Sequence, residues 1–148
     1  MRSTLQSLRA RREQSDKGFT LIELLVVVVI IGVLIAIAIP LYLNYQKSSH
    51  DKAADSDVRN AVIVMEQCYA DNGSYPTVGK VTSGTALTPC DGKINLSPGT
   101  RMNIDVTGGT YVISAHNDDG HANAYFNYDS STGGSVANAT SAATPISS

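Results

Sequence analysis

A nearly uncharged apolar stretch near the N-terminus constrains this chain more than any other feature. Residues 19–46 contain one charged side chain, Glu23, and residues 24–39 are apolar throughout apart from Gly32. As an α-helix, residues 19–43 would span about 37 Å, which is enough to cross a hydrocarbon core of about 30 Å. Because lipid offers no partners to backbone groups, we predict that this β-branched stretch is nevertheless helical.

Charge is distributed unevenly on either side of the start of this stretch. Residues 1–18 carry five basic and two acidic side chains, whereas residues 19–148 carry six basic and eleven acidic ones. A basic segment before an apolar span is typical of the cytoplasmic side of a membrane protein, so we expect residues 1–18 to stay cytoplasmic. The acidic remainder gives no electrostatic reason to expect strong binding to DNA.

The pattern after the apolar stretch predicts that the helix continues and becomes amphipathic. Pro40 removes one helical hydrogen bond and is expected to kink the helix without ending it. Helical periodicity then places a set of apolar side chains on one face and charged ones on the other. The apolar set is Ala54, Val58, Ala61, Met65 and Cys68. Asn72-Gly73 supplies a stop signal, so we predict a helix end near Asp71.

The remainder of the chain has the pattern of a small β-structure. Residues 101–106, 110–116 and 123–129 alternate like strands, and Gly108-Gly109 between the first two favours a tight hairpin. We expect little regular structure in residues 73–100, and mobility in the Ser-, Ala-, Thr- and Gly-rich residues 133–148.

These patterns predict one domain of the α+β class. The second half of a long N-terminal helix would pack on an antiparallel sheet of three to four strands, because the sheet has no other apolar partner. The helical part is predicted to comprise a basic N-terminal segment (residues 1–18), an apolar helix (19–45) and an amphipathic helix (46–71). A loop (72–100), a sheet (101–130) and a polar tail (131–148) follow.

Two cysteines, Cys68 and Cys90, follow the apolar stretch. If this part of the chain is exported, it enters an oxidising compartment in which two cysteines usually pair. Two buried free thiols are the alternative. Their spacing matches neither a zinc site nor a CxxC redox motif.

A family resemblance rests on residues 17–24, which read KGFTLIEL and precede the apolar run. This segment closely resembles the type IV prepilin signature, which pilins share with their pseudopilin relatives. Pro40 matches a proline of the family helix, and residues 72–76 resemble the helix-to-loop junction of many pilins. The similarity is specific over residues 17–45 and, beyond residue 77, concerns architecture alone.

The resemblance implies a processing pathway and a set of partners. Cleavage after Gly18 would make Phe19 the new, N-methylated terminus, and the precursor would span the bacterial cytoplasmic membrane before joining an extracellular pilus. Its partners would be further copies of itself, a prepilin peptidase and the inner-membrane assembly machinery, with no cofactor. Such filaments function in adhesion, motility or DNA uptake. The alternative is a pseudopilin of a secretion or competence system.

For Glu23, the physical argument and the family resemblance both predict a positively charged partner. A carboxylate beside an apolar helix is costly in lipid and needs a partner. Lys17 lies close enough before cleavage, and the α-amino group of Phe19 is the nearest cation afterwards. We predict that Glu23 takes up the Phe19 amine of a neighbouring subunit. The alternatives are an intramolecular pair and a glutamate that only snorkels to the interface.

Two further helix residues have a structural and a functional interpretation. Gly32 permits close helix packing and Pro40 a passive kink. In the functional interpretation, which the resemblance favours, this stretch is a weak helix that loosens during assembly.

Three other classes of protein compete with the pilin interpretation. Residues 36–38, Ala-Ile-Ala, imitate a signal-peptide site, and cleavage after Ala38 would release a soluble domain. That interpretation leaves residues 18–23 unexplained. A single-span anchored domain that never polymerises is the second alternative. An enzyme is disfavoured because no GxSxG, HExxH or phosphate-binding loop occurs in the sequence.

Overall fold

The computed structural model describes residues 18–146. One helix, α1, runs from Leu21 to Asn72, and seven strands follow it. These strands are β1 Gly79–Val81, β2 Thr85–Ala86, β3 Lys93–Ile94, β4 Thr100–Thr107, β5 Thr110–Asn117, β6 Tyr125–Asp129 and β7 Ala137–Ala139. The chain divides into two units between Leu41 and Tyr42, a boundary that lies inside α1.

The first unit consists of the apolar half of α1. One stretch of this helix is long and apolar enough, by length and composition, to cross a membrane, and this result concerns the described part of the chain. Its large side chains are exposed on every face, from Leu21 at 83% to Leu41 at 53%. A surface of this kind requires lipid or other protein to cover it.

The second unit pairs the amphipathic half of α1 with the strands. The main sheet is antiparallel and has five strands in the order β1-β4-β5-β6-β7, and β2 and β3 form a separate two-stranded ribbon. The predicted helix face is confirmed, because its apolar members are almost completely buried. They pack with the sheet residues Met102, Ile104, Tyr111 and Ile113 in one core.

The end of α1 and the central hairpin follow their sequence signals. Gly73, directly after the helix, has a φ of 74° and donates its N–H to the Tyr69 carbonyl oxygen at 2.7 Å, as in a left-handed helix cap. Gly108 and Gly109 have φ values of 61° and 83° between the paired residues Thr107 and Thr110. Positive φ at both central positions is the requirement of a type I′ hairpin.

The two regions expected to have little regular structure contain short strands. Residues 73–100 contain β1, β2 and β3, and Val81, Leu87 and Ile94 from this segment enter the core. In the tail, β7 pairs with β6. Strands of two or three residues carry no visible alternation. β1 and β7 form because the edges of β4 and β6 offer them backbone partners, and β2 and β3 form by pairing with each other.

A buried tyrosine joins the sheet to the helix through a carboxylate. Tyr111 is 1% exposed, and its hydroxyl donates to Glu66 Oε1 at 2.7 Å. The Tyr75 ring stands edge-on against Tyr111, and its hydroxyl also donates to Glu66. Burial, followed by the hydrogen bond to Glu66, raises the pKa of Tyr111 far above its usual value.

The raised pKa predicts alkaline destabilisation. An unfolded tyrosine has a pKa of about 10, so above that pH the unfolded chain releases a proton that folded Tyr111 retains. The stabilising contribution is fully present below pH ~10 and falls by about 1.4 kcal/mol per pH unit above it. In Tyr111→Phe, the free energy of unfolding should therefore fall less steeply with pH, by about 1.4 kcal/mol per pH unit. Denaturant unfolding between about pH 9.5 and about pH 11 measures this dependence. An unchanged slope in the variant would contradict the assignment.

Candidate functional site

The candidate site begins where the chain enters α1. Gly18, Phe19 and Thr20 are exposed and precede the first helical residue, Leu21. No atom outside the adjacent residues lies within 4 Å of a Cβ built on Gly18. The peptide bond between Gly18 and Phe19 is therefore in an open, non-helical segment. Lys17 and the residues before it in the predicted basic N-terminal segment lie outside the described residues.

Glu23 has a local partner that the sequence interpretation missed. The N–H and the hydroxyl of Thr20 donate to Glu23 Oε2 at 2.9 and 2.6 Å. In return, the Glu23 N–H donates to Thr20 Oγ1 at 3.3 Å. Thr20 precedes the first helical residue and Glu23 is the third, so the pair forms a capping box. The signal was present in the sequence as a threonine followed three residues later by glutamate.

The capping box supplies hydrogen bonds to one of the two oxygens of the Glu23 carboxylate. All hydrogen bonds from residues 18–146 to this group end on Oε2, and none reaches Oε1. No basic side chain in the same residues lies within 4.0 Å of either oxygen. A carboxylate at a helix N-terminus is favoured by the helix dipole, so the position suits the charge without neutralising it.

The structure places Gly32 and Pro40 inside the continuous helix α1. A Cβ on Gly32 would meet no other residue within 4 Å, because the helix surface there is bare. Packing within one subunit therefore gives no reason for a glycine at this position. Helix loosening at Gly32 and Pro40 stays a prediction.

The two cysteines are joined by a disulfide, so the paired alternative is the one that the structure shows. Cys68 is 1% exposed on the core face of α1, and Cys90 lies in the loop between β2 and β3. The bond thus ties the β2–β3 region to the last turns of the helix.

A second set of contacts ties α1 to the turn after β5. The N–H of His121 donates to Asp51 Oδ1 at 2.9 Å, and its ring nitrogens contact Asp51 Oδ2 and Asn44 Oδ1. Gly120 makes this approach possible, because a Cβ there would collide with Asp51. Nearby, the guanidinium hydrogen bond from Arg101 lowers the pKa of Asp118. These polar groups therefore serve to hold the turn. Among the described residues, no three His, Cys, Asp or Glu side chains are grouped to hold a metal ion.

Comparison with known proteins agrees with the N-terminal motif. The prokaryotic N-terminal methylation motif matches residues 14–39 of this chain. The fimbrial protein EcpC of Eikenella corrodens is 38% identical over 76 residues, which are 51% of this chain and 49% of that protein. The type IV major fimbrial protein FimA of Dichelobacter nodosus is 41% identical over 84 residues, covering 49% of this chain and 54% of that protein.

A protein of a secretion system is also similar. The type II secretion system core protein G of Pseudomonas aeruginosa is 37% identical over 67 residues, covering 45% of this chain and 46% of that protein. The chain spans about half the length of these curated relatives. The methylation motif, the α+β fold and these similarities confirm the resemblance of the chain to the type IV pilin family and its pseudopilin relatives.

Proposed function

We infer that the chain is the structural subunit of a type IV pilus, cleaved after Gly18 and polymerised through its N-terminal helix. The observation that carries this proposal is the methylation motif over residues 14–39, which includes the first part of α1, a helix stretch whose apolar surface is exposed on all sides. Before assembly, the cytoplasmic membrane would cover that surface. In the extracellular filament, the helices of other copies would cover it.

The chain's own geometry supports processing at Gly18. Exposed segments outside regular structure are the preferred sites of proteolysis, and residues 18–20 lie outside the helix and are exposed. Cleavage would leave a positively charged α-amino group two residues before the first residue of α1. A cation at this end of a helix is disfavoured by the dipole, so the new terminus needs a carboxylate partner.

Glu23 is suited to supply that carboxylate to a neighbouring subunit. Its Oε2 is held by Thr20, which fixes the side chain, while Oε1 receives no hydrogen bond from residues 18–146. Phe19 precedes Glu23 by four residues, so an intermolecular pair would stagger adjacent subunits along the helix axis by a distance on the order of one helical turn, about 5 Å. Apolar packing alone supplies no such register, because moving the helix from lipid into a bundle gains little hydrophobic energy.

The proposed partners follow from this pathway. They are further copies of the chain, a prepilin peptidase and inner-membrane assembly machinery. The net charge does not support DNA as a ligand, because residues 19–148 have five more acidic than basic side chains.

The mass of the N-terminal peptide tests the proposal. Protein recovered from the cell exterior should yield a peptide beginning at Phe19 with one additional methyl group. A peptide beginning at Ile39 would instead identify a secreted domain released after Ala38, and the role given to Glu23 would be wrong. An uncleaved chain confined to the membrane would identify an anchored protein.

A pseudopilin is the second candidate, and the similarity to the secretion protein of Pseudomonas aeruginosa favours it. Both candidates share the cleavage, so a different experiment separates them. Deleting the chain should remove long surface filaments if it is a pilin. Loss of protein secretion with surface filaments intact would identify a pseudopilin.

A further inference from the structure

The outer face of the sheet carries a seat for the C-terminal arm, a name used here for residues 137–146. In β5, Ile113 and Ala115 pack in the core, so Ser114 between them points to the opposite face. Ser114 is nevertheless 0% exposed. The arm lies over it and closes this part of the outer face.

Hydrogen bonds from two sheet residues hold the arm. The N–H groups of Ala143 and Thr144 both donate to Ser114 Oγ at 3.0 Å. Asn127 in β6 donates from its side-chain amide to the Ser141 carbonyl oxygen at 3.0 Å, and its Oδ1 accepts from the Ala143 N–H at 3.2 Å. In addition, β7 at the start of the arm pairs with β6, with Tyr125 opposite Ala139.

Apolar burial contributes little to the seat. Thr144 is the single buried residue of the arm, and its hydroxyl oxygen has no hydrogen-bond partner among the described residues. The other side of the arm borders an open groove of about 870 Å³, which α1 lines with Ser48, Asp51, Lys52 and Asp55. A segment held mainly by hydrogen bonds that water can replace belongs to the least stable part of a fold.

The middle of the linker before the arm permits movement, whereas its two ends are held. At one end the Tyr111 N–H donates to Ser130 Oγ at 2.7 Å, and at the other Val136 packs against the core. Residues 130–136 contain Gly133 with a φ of 53°, and neither Gly133 nor Gly134 has a neighbour within 4 Å of an added Cβ. The five residues between these ends reach about 17 Å when extended. Release of the arm would also expose the edge of β6 that β7 covers, from Tyr125 to Asn127, to which an extended segment can add as a strand.

We propose that the arm is an exchangeable element, seated on its own sheet in the free subunit and on the sheet of an adjacent copy in the filament. The proposal rests on the filament function inferred above. The occupant that the seat fits is the arm itself, so an identical arm from a second copy forms the same hydrogen bonds at no structural cost. Within a polymer, neighbouring arms are present at high effective concentration, which favours exchange.

A cysteine pair across β6 and β7 tests the exchange. Tyr125→Cys and Ala139→Cys are made on separate full-length chains with distinguishable tags, which are produced together and gently oxidised as filaments. We expect disulfide-linked heterodimers of the two chains well above the homodimers that each variant forms alone. The chain with both substitutions should form a ladder of linked subunits in filaments and an internal bond in detergent. If it runs as a monomer from intact filaments, the exchange is refuted.

Hydrogen exchange of the unassembled wild-type chain provides a test independent of the filament. The amides of Ala143 and Thr144 should exchange at least tenfold faster than those of Ile113 and Ala115, because the arm opens without global unfolding. Equal rates for the two pairs would show an arm that cannot leave its seat, and would refute the proposal. Electron microscopy for filaments separately tests the underlying function: filaments without cross-links refute only the exchange.

Discussion

Glu23→Gln is expected to reduce the yield of extracellular filament at least tenfold while the helix still begins at Leu21. Glutamine retains the oxygen that accepts from Thr20, and it is as suitable as glutamate at this position of a capping box. What the substitution removes is the negative charge available to a neighbouring α-amino group. Losing one partner of a desolvated charge pair costs about 2–5 kcal/mol, which exceeds the roughly 1.4 kcal/mol of a tenfold loss.

The matched control is Thr20→Ala, which removes the cap and leaves the charge. Loss of an N-cap costs about 0.5–2 kcal/mol of helix stability, so the filament yield should fall less than in the glutamine variant. The measurement is the amount of filament sheared from cells, normalised to subunit in the membrane. A normal yield from Glu23→Gln, or equal losses in the two variants, would show that capping is the whole role of Glu23.

Cys90→Ala is expected to lower the free energy of unfolding of the second unit by about 3 kcal/mol. The disulfide closes a loop of about 20 residues, and opening it returns that conformational entropy to the unfolded chain. Cys90 is the better position for this test because it is partly exposed, whereas removing the buried Cys68 side chain also leaves a cavity. Denaturant unfolding of the full chain in detergent measures the change.

Reduction of the wild-type chain provides the control for this prediction. A reductant should destabilise the wild-type chain by a similar amount and leave Cys90→Ala unaffected. Cys68→Ala combined with Cys90→Ala should cost less than the sum of the two single substitutions, because both remove the same bond. Equal stability of oxidised and reduced wild-type chain would contradict the entropic account.

Much of the fold was accessible from sequence because its signals are local. The apolar run, the helical face from Ala54 to Cys68 and the Gly108-Gly109 hairpin each depend on side chains a few residues apart. The same is true of the capping box at Thr20 and Glu23, whose signal is a threonine followed three residues later by a glutamate.

The place of the C-terminal arm on the sheet could not be predicted from the sequence in this way. Ser114 reads as an ordinary outward-facing residue of a strand, and residues 137–146 read as low-complexity tail. Only the paired strands show that one hydroxyl accepts from two amides about thirty positions later in the chain. Gly120 is similar, since its need for a small residue arises from Asp51 on a distant part of α1.

The sequence by itself determined the apolar helix, the N-terminal motif and the α+β class, because periodicity, charge and turn chemistry act over short separations. The tertiary structure decided the pairing of Cys68 with Cys90, the three short strands before β4, and the place of the C-terminal arm. Each of these depends on which groups the folded sheet and helix bring within bonding distance, and short polar segments carry no pattern that reveals such partners in advance.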